Sequence, residues 1–171
     1  MKKKIIYLDR DGVINEDPGY IYKTEDFKFI DGVFEACRKF LSSGFEIIII
    51  TNQSGIGRGY YTQKDYETLT NHILKQFSKN GIDILKVYSC PHAPDADCSC
   101  RKPKTGMIEQ SLQDFSIDLQ NSWLIGDKIS DMKCAENAGI LNKILICKNS
   151  VQNNSFCTAI NLQDCLRYLK V

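Results

Sequence analysis

The segment LDRDG places two carboxylates, Asp9 and Asp11, two positions apart at the end of the apolar run 5–8. In extended chain, side chains at i and i+2 project to the same side, so both carboxylates can face one site. That pairing suits covalent catalysis at phosphorus. Asp9 can attack and form an acyl phosphate, while Asp11 protonates the leaving oxygen and then takes a proton from the water that breaks the intermediate. Two carboxylates facing a phosphate repel it unless a cation intervenes. A hard ion with oxygen ligands, Mg²⁺, meets that need, with Asp9, Asp11 and Asp127 as its ligands. The competing reading is that Asp11-Gly12 is a turn and Asp9 a cap.

Two further segments weigh against that reading by bringing polar groups to the ends of similar apolar runs. Run 47–50 ends at Thr51-Asn52, and run 123–125 ends at Gly126-Asp127. Thr51 offers a hydroxyl, and the amides around Asn52 can donate to phosphate oxygens. Either Lys102 or Lys104 can neutralise charge on the transferring group. In GDKISD, Asp127 and Lys128 stand at the strand end, while Asp131 reads equally well as support for the ligands or as a first-turn helix charge. Gly55, Gly57 and Gly59 read as a flexible loop; GIGRGYY lacks the last glycine of a dinucleotide fingerprint. Arg58 there either meets a distal phosphate or is a surface charge.

Cys90-x-His92 and Cys98-x-Cys100 supply one imidazole and three thiolates, a complete tetrahedral set for Zn²⁺. Such a set leaves no open position, so the ion would be structural. By fixing the backbone just ahead of Arg101 and Lys102, it would order two cations that must meet a phosphate closely. The second of the chain's two histidines, His72, lies beside the polar face of a helix and reads as solvated. The remaining cysteines, Cys37, Cys134, Cys147, Cys157 and Cys165, are scattered. They read as free thiols, with Cys37, Cys134 and Cys147 in apolar-periodic segments and therefore buried.

The elements that must carry these groups follow from periodicity. Apolar runs at 5–8, 47–50 and 123–125, with strand-like runs at 143–147 and 85–89, suggest strands covered on both faces. Between them, Val33, Phe34, Cys37 and Leu41 form a helical stripe with Asp31 placed to cap and Gly44 to stop. Thr62 and Asp65 form a capping box ahead of the stripe Tyr66, Leu69, Ile73 and Phe77. Residues 107–115, 130–138 and 162–169 read as three more helices, and 149–155 as a polar loop. Alternating strands and helices predict an α/β fold with a parallel sheet, and ligands bind such sheets beyond the carboxyl ends of the strands. At 171 residues the chain fits one domain, 1–171. A net charge of +1 gives no field for nucleic acid. The opening apolar run stops at Asp9, too short for an export signal, and no later run approaches a membrane span, so the expected compartment is cytoplasmic.

The set DRDGV, the TN pair, a lysine before a helix and GDKISD resembles the four motifs of haloacid-dehalogenase-type phosphatases, in order over residues 5–146. The resemblance implies a Rossmann-like parallel sheet sandwiched by helices, Asp9 as nucleophile, Asp11 as acid/base and Mg²⁺ as cofactor. The segments between motifs leave no room for a large cap domain. A capless chain with a small zinc-binding loop is similar to two groups, the heptose bisphosphate phosphatases and the histidinol-phosphate phosphatases. PGYIYKTEDFKFIDGV, TNQSGIGRGYYT, RKPKTGM and GDK favour the first. That likeness implies substrate contacts from Asp17, Pro18, Gly19 and Tyr20, from Thr51, Asn52, Gln53 and Ser54, and from Arg101, Lys102 and Lys128. The five-residue spacer between His92 and Cys98 is as in the histidinol-phosphate group, and Thr105 stands where the heptose group has proline. The implied substrate is a small phosphorylated sugar, D-glycero-D-manno-heptose 1,7-bisphosphate losing its 7-phosphate, acted on by a monomer in nucleotide-activated heptose synthesis. Histidinol phosphate is the runner-up. A receiver domain phosphorylated on aspartate shares the acidic site, threonine and lysine, but there the acceptor does not follow the first strand and nothing like Asp11 stands ready to hydrolyse the acyl phosphate.

Overall fold

The structure, a computed structural model, describes residues 2–149 and 154–169. Six strands form one sheet: β1 (Lys4–Leu8), β2 (Phe45–Asn52), β3 (Ile84–Cys90), β4 (Trp123–Gly126), β5 (Asn142–Ile146) and β6 (Cys157–Ala159). All neighbours pair in parallel, in the order β3-β2-β1-β4-β5-β6. The order reverses between β1 and β4, which opens the crevice where such sheets bind ligands. Asp9 follows β1 and Asp127 follows β4, so the reversal itself brings the two carboxylates together.

The period-two alternation of the isoleucine runs divides the core between the sheet's two faces. Ile6, Leu8, Ile47 and Ile49 face α1 (Val33–Ser42), α3 (Gln63–Lys79) and α6 (Leu162–Cys165). Ile5, Tyr7, Ile48 and Ile50 face α4 (Gly106–Asp114) and α5 (Ile129–Asn137). A one-turn helix, α2 (Ser54–Gly57), leads from β2 toward α3. The Thr62–Asp65 capping box forms as the sequence predicts.

Several expectations are corrected. Asp31 does not cap α1; Gly32 holds the N-cap position at φ +85°, where a Cβ would sit 2.4 Å from the Gln163 side chain of α6. The segment around Gly55 and Gly57 is a packed helical turn rather than a flexible loop. A Cβ on Gly55 would lie 2.1 Å from the Tyr61 ring, and one on Gly57 2.5 Å from the Ala93 nitrogen. The predicted helix at 162–169 is one α-turn continued by a 3₁₀ turn, Leu166–Tyr168. Strand β6 was hidden by its three-residue length; the predicted polar loop before it lies partly outside the described residues. Cys37, Cys134 and Cys165 are buried free thiols, whereas Cys147 and Cys157 are half-buried, as is His72.

Candidate active site

At the crevice, Asp9, Asp127 and Asp131 bring one carboxylate oxygen each to within 4.8 Å of one another. Lys102 is fully enclosed beside them. Its ammonium lies 3.0 Å from Asp9 Oδ1 and 2.7 Å from Asp131 Oδ1, and it donates to the Ile50 carbonyl at 3.0 Å. Burial pushes the Asp9 carboxyl up to about 8; Lys102 opposes this, while Asp131, Asp127 and Asp11 add to it. Asp127 is raised for the same first reason, burial, with Lys128 opposing and Asp131 adding. For Lys102 burial disfavours the ammonium, but Asp9 and Asp131 outweigh it and hold the charge on. Three clustered carboxyls face a single enclosed ammonium, and Asp127 Oδ1 is buried without a hydrogen-bond partner. Both observations fit a divalent cation with oxygen ligands.

Two glycines make this cluster possible. A Cβ on Gly12 would fall 2.3 Å from Asp127 Oδ2, and one on Gly126 would fall 2.3 Å from the Asp131 side chain. Asp131 is further fixed by the Lys128 backbone N–H, which donates to its Oδ2 at 3.0 Å. Asp9 Oδ1 accepts from the Arg10 N–H at 2.8 Å.

Asp11 points elsewhere. Its Oδ1 accepts from Arg10 Nε at 3.0 Å, Arg10 Nη2 at 2.9 Å and Asn15 Nδ2 at 3.0 Å; its Oδ2 accepts from Gln53 Nε2 at 3.0 Å. Asp131 therefore stands in the carboxylate cluster where the sequence placed Asp11. Thr51 is buried and accepts from Gln53 at 2.8 Å. Lys102, not the exposed Lys104, is the lysine of the site.

The four ligand atoms predicted for a second metal also converge within 4.8 Å. Cys90 Sγ lies 3.8 Å from Cys98 Sγ and 3.5 Å from His92 Nδ1, and His92 Nδ1 lies 3.2 Å from Cys100 Sγ. A tetrahedral zinc with ordinary bond lengths has edges of about 3.8 Å between sulfurs and about 3.5 Å between sulfur and nitrogen. The loop is wedged between α2 and α4: Gly57 N–H donates to Pro91 O at 2.8 Å and Gly106 N–H to Ser99 O at 3.0 Å. Burial raises the Cys98 thiol, but the Arg101 N–H beside it and its cysteine neighbours outweigh this and hold it below its ordinary value. That contact joins the cysteine loop directly to the residue before Lys102.

Residues 4–156 match the family model for polynucleotide kinase 3 phosphatase. The D-glycero-alpha-D-manno-heptose-1,7-bisphosphate 7-phosphatase of Campylobacter jejuni is 46% identical over 170 residues, 99% of this chain and 98% of its own. The chain belongs to the heptose bisphosphate phosphatase family. The D-glycero-beta-D-manno-heptose-1,7-bisphosphate 7-phosphatase of Helicobacter pylori strain J99 is 41% identical over 169 residues, 98% of this chain and 97% of its own. The crystal structure of the D,D-heptose 1,7-bisphosphate phosphatase from B. bronchiseptica, complexed with magnesium and phosphate, superposes with a TM-score of 0.88 at 24% identity, covering 98% of both chains. The haloacid-dehalogenase-type fold and the phosphatase class read from the four motifs are those of this family.

In this heptose bisphosphate phosphatase relative, a cavity of about 350 Å³ opens over the carboxylates. Of the substrate contacts implied by resemblance, Asp17, Gly19, Tyr20, Asn52, Gln53, Ser54, Arg101, Lys102 and Lys128 border it; Pro18 borders the adjoining hollow instead, and Thr51 is buried away from it. Tyr20 is the one non-glycine at positive φ, +50°, among the described residues, and its ring meets Tyr60 edge-on at 4.8 Å. Asn52 also anchors Lys102, because its Oδ1 accepts the Lys102 N–H at 3.0 Å and its Nδ2 donates to Lys102 O at 3.2 Å. Arg58 is exposed. Sequence reasoning missed Tyr61 and Ser130, which border the cavity, and the buried Arg10. The spacing of Arg10 between the two aspartates was the only signal available for any of these.

Proposed function

We propose that the protein hydrolyses a phosphomonoester, removing the 7-phosphate of D-glycero-D-manno-heptose 1,7-bisphosphate, with Mg²⁺ at Asp9, Asp127 and Asp131 and Zn²⁺ at Cys90, His92, Cys98 and Cys100. The observation that carries the chemistry is Asp9: Oδ1 is tied to Lys102 and the Arg10 N–H, which leaves Oδ2 as the attacking oxygen. Asp9 Oδ2 attacks phosphorus and the ester P–O bond breaks, forming an aspartyl phosphate as Asp11 gives its proton to the leaving alkoxide. Asp11 then takes a proton from water, whose oxygen displaces Asp9 from phosphorus and frees inorganic phosphate. Lys102 offsets charge on the phosphoryl oxygens throughout. The divalent cation, when bound, supplies further charge neutralisation and orients the phosphate. The zinc set takes no part in the chemistry; it stiffens the Arg101–Lys102 segment.

The sugar assignment rests on the two curated relatives, whose names differ in anomer. The test is phosphate release from both heptose 1,7-bisphosphate anomers and from histidinol phosphate, with Mg²⁺ and with EDTA. Mg²⁺-dependent release from a heptose bisphosphate is expected, and preference for histidinol phosphate overturns the substrate. Asp9→Asn is expected to abolish turnover; an intact rate rules out Asp9 as nucleophile.

A further inference from the structure

We infer that Tyr61 and Gln53 form a positioning relay that aims the proton-donating oxygen of Asp11. The inference rests on the acid/base role proposed above for Asp11.

The geometry begins with an imbalance between the two Asp11 oxygens. Oδ1 accepts from three donor atoms, two on Arg10 and one on Asn15. Oδ2 takes Gln53 Nε2 at 3.0 Å and a longer contact from Arg10 Nη2 at 3.1 Å. Oδ2 is therefore the oxygen with room to exchange a proton with a leaving group, and Gln53 sets its direction.

Gln53 is itself fully committed. It is 3% exposed, and its two N–H bonds go to Asp11 Oδ2 and to Thr51 Oγ1 at 2.8 Å. A carboxylate neighbour fixes which end of the amide faces Asp11, because only the nitrogen can donate. Its carbonyl oxygen must then face the other way, where the Tyr61 hydroxyl donates to it at 2.6 Å. Reversing the amide would set its oxygen against the Asp11 carboxylate, lone pair against lone pair. The side chain counted by resemblance as a substrate contact thus spends both donors inside the protein.

Tyr61 is fixed in turn by packing. The missing Cβ of Gly55 makes room for its ring, and Tyr22 stacks on it at 5.3 Å with planes 12° apart. Arg10 Nη2, at the opposite end, donates to the Ile21 carbonyl at 3.1 Å. Both ends of the relay end on the segment that follows Tyr20 at the cavity mouth, so Asp11 is held from two sides by the same loop.

A residue that only supports the fold slows all substrates alike. One that aims a general acid slows in proportion to how much the leaving group needs a proton. The test compares an alkyl ester, heptose 1,7-bisphosphate, with p-nitrophenyl phosphate, whose phenolate departs unprotonated. Leaving-group release is measured in single turnovers with enzyme in excess, so that only transfer to Asp9 is read. Asp11→Asn sets the reference, with the alkyl ester slowed far more than the aryl ester. Tyr61→Phe keeps the ring in place and is expected to slow the alkyl ester about five- to tenfold, with the aryl ester slowed less than twofold and KM steady. Gln53→Leu is expected to slow the alkyl ester more than Tyr61→Phe does. Equal slowing of both esters, or none, in Tyr61→Phe and Gln53→Leu overturns the relay while Asp11→Asn still discriminates. If Asp11→Asn shows no such discrimination, the acid/base assignment fails and the relay falls with it.

Discussion

Replacing Gly12 by alanine separates backbone strain from damage to the cation site. Gly12 stands at φ +82°, a left-handed conformation that costs an L-residue about 1–2 kcal/mol. For a chain of this size, that lowers the melting temperature by roughly 3–8 °C. The added Cβ also collides with Asp127, 2.3 Å from Oδ2 and 2.7 Å from Cγ. A contact that short forces the carboxylate to turn away from Asp9 and Asp131, removing one of three ligands. The half-saturating Mg²⁺ concentration should then rise about 10- to 100-fold, the range seen when support for a metal ligand is lost. Gly81→Ala is the control: φ is +71°, and nothing lies within 4 Å of its added Cβ. It should reproduce the loss in melting temperature without touching the Mg²⁺ dependence. Magnesium titrations of phosphate release and thermal melts on both variants decide the matter. If Gly12→Ala and Gly81→Ala show the same half-saturating Mg²⁺, Asp127 does not serve as argued.

Lys102→Met should cut the rate of phosphate release at least a hundredfold, whereas Lys104→Met should leave most of it, because only Lys102 is enclosed between Asp9 and Asp131. Comparable losses in both would show that the ammonium acts at long range. Cys100→Ser should lower bound zinc, measured by mass spectrometry of the metal, and lower activity about tenfold or more through disorder of the Arg101–Lys102 segment. Full activity in the metal-free variant refutes the structural role. Thr62→Ala should lower the melting temperature by ~3 °C near neutral pH and leave the rate of phosphate release unaffected. Hydrogen bonds from the Thr62 side chain and backbone hold Asp65 below its ordinary value. A depressed folded value stabilises the fold above the unfolded carboxylate range and loses that contribution as pH falls through the folded value. The gap in melting temperature between Thr62→Ala and wild type should therefore close in acid; a gap that widens contradicts the assignment.

What the sequence disclosed and what it hid divide by distance along the chain. The convergence of Asp9 and Asp127 was legible because each ends an apolar run, and a parallel sheet carries the ends of its strands to one edge; Thr51 reaches that edge too, but it is fully buried with Gln53 on its hydroxyl. The convergence of Cys90, His92, Cys98 and Cys100 was legible because they sit within eleven residues of one another. Asp131 was ambiguous because a first-turn acid is common on any helix; only the absent side chain of Gly126 and the approach of Lys102 make it part of the cluster. Asp11 borders the same cavity as Asp9, as expected, but not as a ligand beside it, because the i, i+2 rule holds for extended chain and the strand has ended by then: Arg10 and Asp11 lie in a turn closed by the Val13 and Ile14 N–H groups on Arg10 O. Tyr61 gave no signal at all, since its partners Gln53, Gly55 and Tyr22 are set by packing between segments.

Lys102 shows most clearly why local sequence could not suffice. A lysine before a helix is commonplace, and Lys104 fits the same description two residues later. What distinguishes Lys102 is imposed from three distant places. Asn52, fifty residues earlier, grips both polar groups of its backbone. The cysteine loop, through the Arg101 N–H beside Cys98, fixes the residue before it. Asp9 and Asp131, from either side of the sheet reversal, hold its charge in a site where burial alone would strip it. Loosening the cysteine loop or the grip of Asn52 lets the ammonium move away from the phosphoryl oxygens. Rate losses from Asn52→Ala and Cys100→Ser should therefore be less than multiplicative when combined, since both act by freeing the same short segment. A fully multiplicative double variant would mean that the two supports act on different groups.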